Sequence, residues 1–233
     1  MTGALAGRHA LVTGAAQGIG AGIVAALRAE GALVTGLDRH EMPDGGIVCD
    51  LSEAHDIAAA VDIAARQMGG IDIVVNNAGI NERRTLAEID AVHLERMIAV
   101  NLLAPIHVAQ AALPHMRDGG RIVNIASELA YLGRAGGSVY AATKAGLLAL
   151  TRSWARELSP RILVNAIAPG PTDTPLLGFD RLTLDRRAEE TANPMGRIGT
   201  VAEVAATCVF LCGAGGNFYT GQCLGPNGGT VMT

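Results

Sequence analysis

Tyr140 and Lys144 stand four residues apart, and Ser127 precedes the tyrosine by thirteen. Four residues is close to one helical turn, so on a helix the phenol and the ammonium share a face. A free tyrosine holds its proton to about pH 10, and making it an acid/base near neutrality asks for roughly 3–4 kcal/mol. One cation at about 4 Å contributes on the order of 4 kcal/mol at an effective dielectric of 20, so Lys144 is expected to draw the Tyr140 pKa down. Ser127, in turn, has a hydroxyl that can hold the oxygen on which such a proton arrives.

Asn101 adds a fourth polar group. It lies in the long helical pattern Ala91 to Met116, and Pro105 follows it by four residues. Proline has no N–H to give to the carbonyl four residues back, so the Asn101 carbonyl is free to hold a water that links Lys144 to solvent. The alternative is an ordinary proline kink.

These residues need a scaffold, and the pattern supplies one. Short apolar, β-branched runs alternate with longer stretches of helical period, as in βαβ units around a parallel sheet. Strands are expected near His9–Thr13, Leu33–Leu37, Ile47–Cys49, Ile71–Asn76, Arg121–Ala126, Ile162–Ile167 and Gln222–Leu224. The fold class is therefore α/β, a Rossmann-type doubly wound parallel sheet with helices on both faces, in one domain over 1–233. The stretch Pro169 to Gly199 carries four prolines and loses regular patterning. At that length it reads as a substrate lid around 171–199.

Between the first strand and an alanine-rich helix lies Thr13-Gly14-Ala15-Ala16-Gln17-Gly18-Ile19-Gly20. Glycines there permit a tight turn and close approach of a pyrophosphate, and the helix start offers free N–H groups. A glycine turn alone can be merely structural, but Asp38 closes the second strand eighteen residues after Gly20. A carboxylate at that place accepts from both adenosine ribose hydroxyls and repels a 2′-phosphate, which favours NAD over NADP. Arg39 could instead grip that phosphate, or be a solvated surface residue. Asp50-Leu51 and Asn77-Ala78-Gly79 follow the third and fourth strands, at the sheet edge where open parallel sheets bind ligands. Asp50 serves equally well as a helix cap or an adenine contact. With a nicotinamide in place, a hydride could move between its ring and a substrate carbon while Tyr140 handles the proton.

Bulk numbers narrow the classes. The 233 residues are 49% hydrophobic and 17% charged, with a formal charge of −4 and no basic stripe, which argues against nucleic acid. No uninterrupted apolar run approaches a bilayer span, and Met1 to Ala10 lacks the pattern of a signal peptide. The four cysteines show neither metal spacing nor a disulfide framework, so a reduced, cytoplasmic setting is expected; Cys208 and Cys212 read as packing rather than metal or redox groups. The six histidines are scattered, and no metal site is expected.

Taken together, Thr13 to Gly20, Asn76-Asn77-Ala78-Gly79, Asn101, Ser127, the Tyr140–Lys144 pair and Pro169-Gly170 resemble the short-chain dehydrogenase/reductase family, in order and spacing, over essentially the whole chain. The resemblance implies a tetrad of Asn101, Ser127, Tyr140 and Lys144. It also implies cofactor contacts at Pro169, Gly170, Thr172 and Thr174 beside the nicotinamide amide or phosphates, with Lys144 and Tyr140 at the nicotinamide ribose. Homotetramers are usual in that family, built on the helix holding Tyr140 and on the C-terminal helix and strand. Two departures stand out: Ser159 to Asn165 is about one residue short, and the chain ends near Pro226-Asn227-Gly228-Gly229, where subunit contacts would be altered.

The expected activity is NAD-dependent interconversion of a secondary alcohol and a ketone on a small polar or cyclic substrate such as a polyol, hydroxy acid or dihydrodiol. The competing enzyme reading is NADPH-dependent reduction of a 3-oxoacyl thioester on acyl carrier protein, suggested by Pro194-Met195-Gly196-Arg197 and the tail near Gly221. A reading of another class is a non-catalytic dinucleotide sensor or scaffold. Glu128, Tyr131 and Arg134 are candidates for the substrate wall, or else exposed loop residues.

Overall fold

The computed structural model describes residues 3–43 and 45–232. Met1, Thr2, Asp44 and Thr233 lie outside them, so the leader reading at Met1 to Ala10 and the single unit over 1–233 reach beyond the described residues. The elements run β1 (His9–Thr13), α1 (Gly18–Ala29), β2 (Leu33–Asp38), β3 (Ile47–Val48), α2 (Ala54–Met68), β4 (Ile71–Asn76), α3 (Ala91–Ile98), α4 (Ala104–Ala112), β5 (Met116–Ile125), α5 (Leu129–Leu132), α6 (Ser138–Leu158), β6 (Ile162–Ile167), α7 (Leu184–Glu190), α8 (Val201–Cys212) and β7 (Cys223–Leu224). The seven strands form one sheet in the order β3-β2-β1-β4-β5-β6-β7, every pairing parallel.

Side-chain alternation along the strands builds two cores. Leu11, Val74, Ile122 and Val164 point to one face, where they pack with α2 and α4 residues such as Ile57, Val61 and Val108. Their neighbours Val12, Ile73, Val75 and Ile125 point to the other, against Ile23, Leu27, Val204 and Leu211 of α1 and α8. Cys208 and Cys212 are buried in this second core, and all four cysteines are free thiols.

The seven expected strands are all present, with shifted ends. β5 begins at Met116 rather than Arg121, because Met116 pairs with Ile71 ahead of a bulge whose register resumes at Arg121 opposite Ile73. The pattern Ala91 to Met116 is not one regular helix. It breaks into α3, a π turn at Ala99–Leu103, α4 and a short 3₁₀ turn at Leu113–His115. Ala91–His115 is nonetheless long and apolar enough by composition to cross a bilayer, which a count of uninterrupted apolar runs did not register; Glu95, Arg96 and Asn101 interrupt it, and it packs on α2 and α6. The irregular stretch after Pro169 also holds a helix, α7, for which the prolines left no visible pattern.

A buried polar ladder ties the centre of the sheet to α6. Asn76 Nδ2 donates to Asn124 Oδ1 at 2.8 Å, Asn124 Nδ2 donates to Thr151 Oγ1 at 2.9 Å, and Thr151 Oγ1 donates to the Leu147 carbonyl at 2.7 Å. It fixes α6, and so the residues on its first turns, relative to β4 and β5. Asn124→Ala would leave the buried Asn76 Nδ2 without its acceptor and cut the tie to Thr151, and we expect it to cost about 1–3 kcal/mol in urea unfolding. A loss below about 0.5 kcal/mol would show that packing alone seats the helix.

Candidate active site

The carboxyl ends of the strands open into a cleft of about 600 Å³. It lies where the strand order reverses between β1 and β4, the usual ligand position in an open parallel sheet.

At one end the glycine turn is shaped by what surrounds it. Gly14 has φ +65°, and a Cβ there would come within 2.8 Å of Ala78 Cα. The Thr13 hydroxyl accepts from the backbone N–H groups of Asn77 and Ala78 at 3.0 and 3.1 Å, and Asn77 Nδ2 donates to the Thr13 and Gly14 carbonyls at 2.8 and 3.1 Å. These bonds hold the ends of β1 and β4 together. Gln17, Gly18 and Ile19 line the cleft at the start of α1, where no side chain caps the helix and no acidic residue occupies the first turn. That leaves N–H groups for a pyrophosphate.

Gly20 departs from expectation. It is buried and does not line the cleft, because a Cβ there would overlap the Gly14 carbonyl oxygen; its task is close packing of the turn on α1.

Asp38 and Arg39 line the cleft at the end of β2. The Asp38 carboxylate is already held, accepting from Ala16 N and His40 N at 3.0 Å each. Both carboxylate oxygens are thus held in place by backbone N–H groups. Arg39 is exposed and Nε contacts His40 Nε2 at 3.1 Å. Asp50 and Leu51 line the same end. Asp50 is not the cap of α2, whose first residue is Ala54 behind an N-cap at Glu53. Its side chain accepts instead from Ser52 N and Oγ at 2.9 and 2.8 Å, and those bonds hold its pKa below the ordinary range.

At the other end the first turns of α6 bring Tyr140 and Lys144 beside Ser127. The Ser127 hydroxyl lies near enough to the phenol to favour its ionised form, and Lys144 Nζ lies 5.7 Å from the phenol ring centre. All three are buried and line the cleft. Lys144 Nζ donates to the Ile125 carbonyl at 2.7 Å. A Cβ on Gly79 would sit 3.4 Å from both Lys144 Nζ and Asn101 Oδ1, which puts those groups around one point.

Asn101 itself is wholly buried behind the wall rather than on it. Its Oδ1 accepts from Ile80 N at 2.8 Å and its Nδ2 donates to Ile80 O at 2.9 Å, clamping the segment after Gly79. Pro105 does perturb the helix as expected: Ala104 N bonds Ala99 O across the π turn.

The expected electrostatics are reversed. Burial pushes the Tyr140 phenol above its usual value, opposed by the Ser127 hydrogen bond and the Arg134 charge. Burial likewise pulls Lys144 down to about 8. The Coulomb argument omitted what it costs to take both groups out of water.

Pro169, Gly170, Thr172 and Thr174 line the cleft opposite α6. Both threonine hydroxyls donate to nearby carbonyls, Thr172 to Gly170 at 2.9 Å and Thr174 to Thr172 at 3.2 Å. The stretch beyond them leaves and returns at one place: Gly199 N donates to Pro171 O at 2.8 Å and Asp173 N to Gly199 O at 2.9 Å. Its far end is tied down by Glu190, buried on α7, which takes two bonds from Arg134 at 2.7 and 2.9 Å. Glu128 and Arg134 line the cleft; Tyr131 does not, lying instead by Cys223 in a smaller cavity. The tail at Pro226–Gly229 packs inward, with Gly170 N donating to Pro226 O at 3.2 Å.

With this geometry in view, the comparisons with known proteins are direct. The family described as Enoyl-(Acyl carrier protein) reductase matches residues 14–231. The chain is 35% identical to a 3-oxoacyl-[acyl-carrier-protein] reductase of Thermotoga maritima over 98% of this chain and 99% of that one. This chain belongs to the short-chain dehydrogenase/reductase family. It is also 37% identical to a glucose and ribitol dehydrogenase of Daucus carota, over 98% of this chain and 86% of the relative. A blue fluorescent protein from a metagenomic library, solved in complex with NADPH, superposes with a TM-score of 0.90 at 36% identity, covering 98% and 99% of the two chains. As a member, the protein is an NAD(P)-dependent oxidoreductase acting on CH–OH groups of small molecules, and the sensor or scaffold reading has no support.

Two residues that hold the site escaped the sequence reading. Thr13 looked like the end of a strand, and Glu190 has no local signal because its partner lies 56 residues away.

The lowered Lys144 pKa has a thermodynamic signature. An unfolded lysine keeps its proton to about 10.4, whereas the folded one gives it up near 8, so between those values the unfolded state binds more protons and stability rises with pH. The melting temperature of the parent relative to Lys144→Met should therefore climb from pH 7 to about 9.5. A flat difference would mean that Lys144 is solvated.

Proposed function

We propose that this short-chain dehydrogenase/reductase uses NAD to interconvert a secondary alcohol and a ketone on a small polar or cyclic substrate, with Tyr140 as the general acid and base. The observation that carries the proposal is the meeting of Ser127, Tyr140 and Lys144 in the wall of one cleft of about 600 Å³, with Lys144 Nζ 5.7 Å from the phenol ring centre and Ser127 near enough to oppose the rise in the phenol's pKa.

The nicotinamide ring, when bound, takes or delivers the hydride. Everything else falls to the chain. Ser127 releases the phenol and holds the substrate oxygen. Tyr140, kept protonated by burial, donates to that oxygen in reduction and takes the proton back in oxidation. Lys144, charged below about pH 8, offsets negative charge on the phenolate. Asn101 acts through Lys144: its clamp on Ile80 and the carbonyl that Pro105 cannot bond prepare a place for a water that returns the proton to solvent. The excursion between Thr172 and Gly199 serves as a lid, hinged at its paired base and held by the Arg134–Glu190 ion pair. The proposed assembly is a homotetramer on α6, α8 and β7, near which Phe210, Phe218 and Tyr131 are left exposed.

The choice of NAD rests on Asp38, a carboxylate held by Ala16 N and His40 N at the end of β2, which would repel a 2′-phosphate. Exposed Arg39 beside it, and likeness to the Thermotoga maritima enzyme, support the other reading, an NADPH-dependent 3-oxoacyl thioester reductase. Titration separates them: NADH should bind at least about tenfold more tightly than NADPH, and the reverse order overturns the choice.

Tyr140→Phe should lower turnover by at least about 10² while NADH affinity stays within about twofold. Turnover equal to the parent would remove Tyr140 from the mechanism.

A further inference from the structure

The substrate end of the cleft carries charge that the proposed chemistry does not use. Arg83, Arg134 and Arg186 all line it, brought there by the segment after β4, the loop before α6 and the lid helix α7. Two of these are matched. Arg134 makes its paired bonds to Glu190, and Arg186 reaches Glu189 Oε2 at 2.5 Å and Glu190 Oε1 at 3.3 Å. Arg83 is not. Its Nη2 donates to the Ala135 carbonyl at 2.9 Å, which anchors one edge of the guanidinium, and no carboxylate lies within ion-pair distance of it among the described residues.

We propose that Arg83, backed by Arg134 and Arg186, forms an anion subsite that pairs with a carboxylate on the substrate, making hydroxy acids and the matching oxo acids the substrate class. The inference rests on the oxidoreductase reading above and narrows it. A guanidinium presents parallel donors that suit a carboxylate, and one already held by a backbone carbonyl loses little freedom on binding. Two further features agree. Arg83 is exposed, yet desolvation and the neighbouring Arg186 and Arg134 hold its pKa below the usual value against the opposing pull of Glu189 and Glu190, and an arriving anion relieves that net repulsion. The carboxyl nearest Ser127 in this wall, Glu128, is buried and pushed up to about 7, so at neutral pH it opposes an anion with only part of a charge. Neutral polyols would leave the third guanidinium without a counterpart.

The test is steady-state reduction by NADH of 2-oxobutanoate, 3-oxobutanoate and 4-oxopentanoate, each beside its uncharged amide. For at least one pair the KM of the acid should be about tenfold or more below that of the amide. Arg83→Gln should bring that ratio close to one and Arg83→Lys should restore part of it, with NADH affinity reporting that both variants are folded. Acid-to-amide ratios near one for all three pairs, or a preference for the acid that survives Arg83→Gln, would overturn the subsite. If none of the acids or amides is reduced by NADH, the proposed NAD-dependent chemistry on small substrates fails by itself, and calorimetric binding of malonate to the protein decides the subsite. Millimolar or tighter binding that weakens in Arg83→Gln supports it, and no binding sinks it.

Discussion

An ammonium buried without a carboxylate is costly, and Lys144 is one. It is 3% exposed, its Nζ donates to the Ile125 carbonyl, and no acid lies within ion-pair distance among the described residues. Such a group shifts its proton affinity rather than carry the full penalty, hence the fall to about 8. Everything around it can be understood as what keeps the amine in that position. The carbonyl it bonds ends β5, the helix that bears it is pinned by Thr151 to Asn124, and the Gly79 segment passes close to Nζ. A positive charge that is expensive alone becomes useful beside a phenol that must spend part of its time as an anion.

The same logic of fixed polar groups runs through the sheet. Thr13, Asn77 and Asn101 do not present their side chains for chemistry; they satisfy the backbone where β1 and β4 end and loops begin. Those loops carry the glycine turn and the Gly79 segment, so the cleft floor is held by hydrogen bonds of about 3 Å rather than by loop packing. A parallel sheet concentrates its ligand site where strand order reverses, and here the ends of the two strands at that reversal are joined by the Thr13 and Asn77 side-chain bonds.

How far the sequence revealed this depends on the range over which each feature is set. Strands and helices follow from side-chain alternation, a local property, and all seven strands were legible within a few residues. The Tyr140–Lys144 pairing was legible because helical geometry fixes it within one turn. Helix α7 was hidden by the prolines around it, the split of Ala91 to Met116 was blurred because a π turn keeps nearly helical spacing, and Gly20 looked like a ligand contact when its missing Cβ serves packing. The direction of the Tyr140 shift was misjudged for a different reason. Charge separation can be read from spacing, but burial is a property of the finished fold, and burial won.

The two ends of the cleft therefore differ in kind. The cofactor end is specified by short-range constraints: a glycine at positive φ, an uncapped helix start, a carboxylate held by Ala16 and His40. These can be written in a contiguous motif. The substrate end is specified by charges that meet only in three dimensions, with Arg134 and Glu190 drawn from either side of β6. The Arg134–Glu190 ion pair seats α7 so that Arg186 and Glu190 join the cleft wall. Exchanging residues on α7 and in the loop before α6 would alter which substrate charge is tolerated without disturbing Ser127, Tyr140 or Lys144. That separation is how one scaffold accommodates relatives as different as an acyl-carrier-protein reductase and a sugar dehydrogenase.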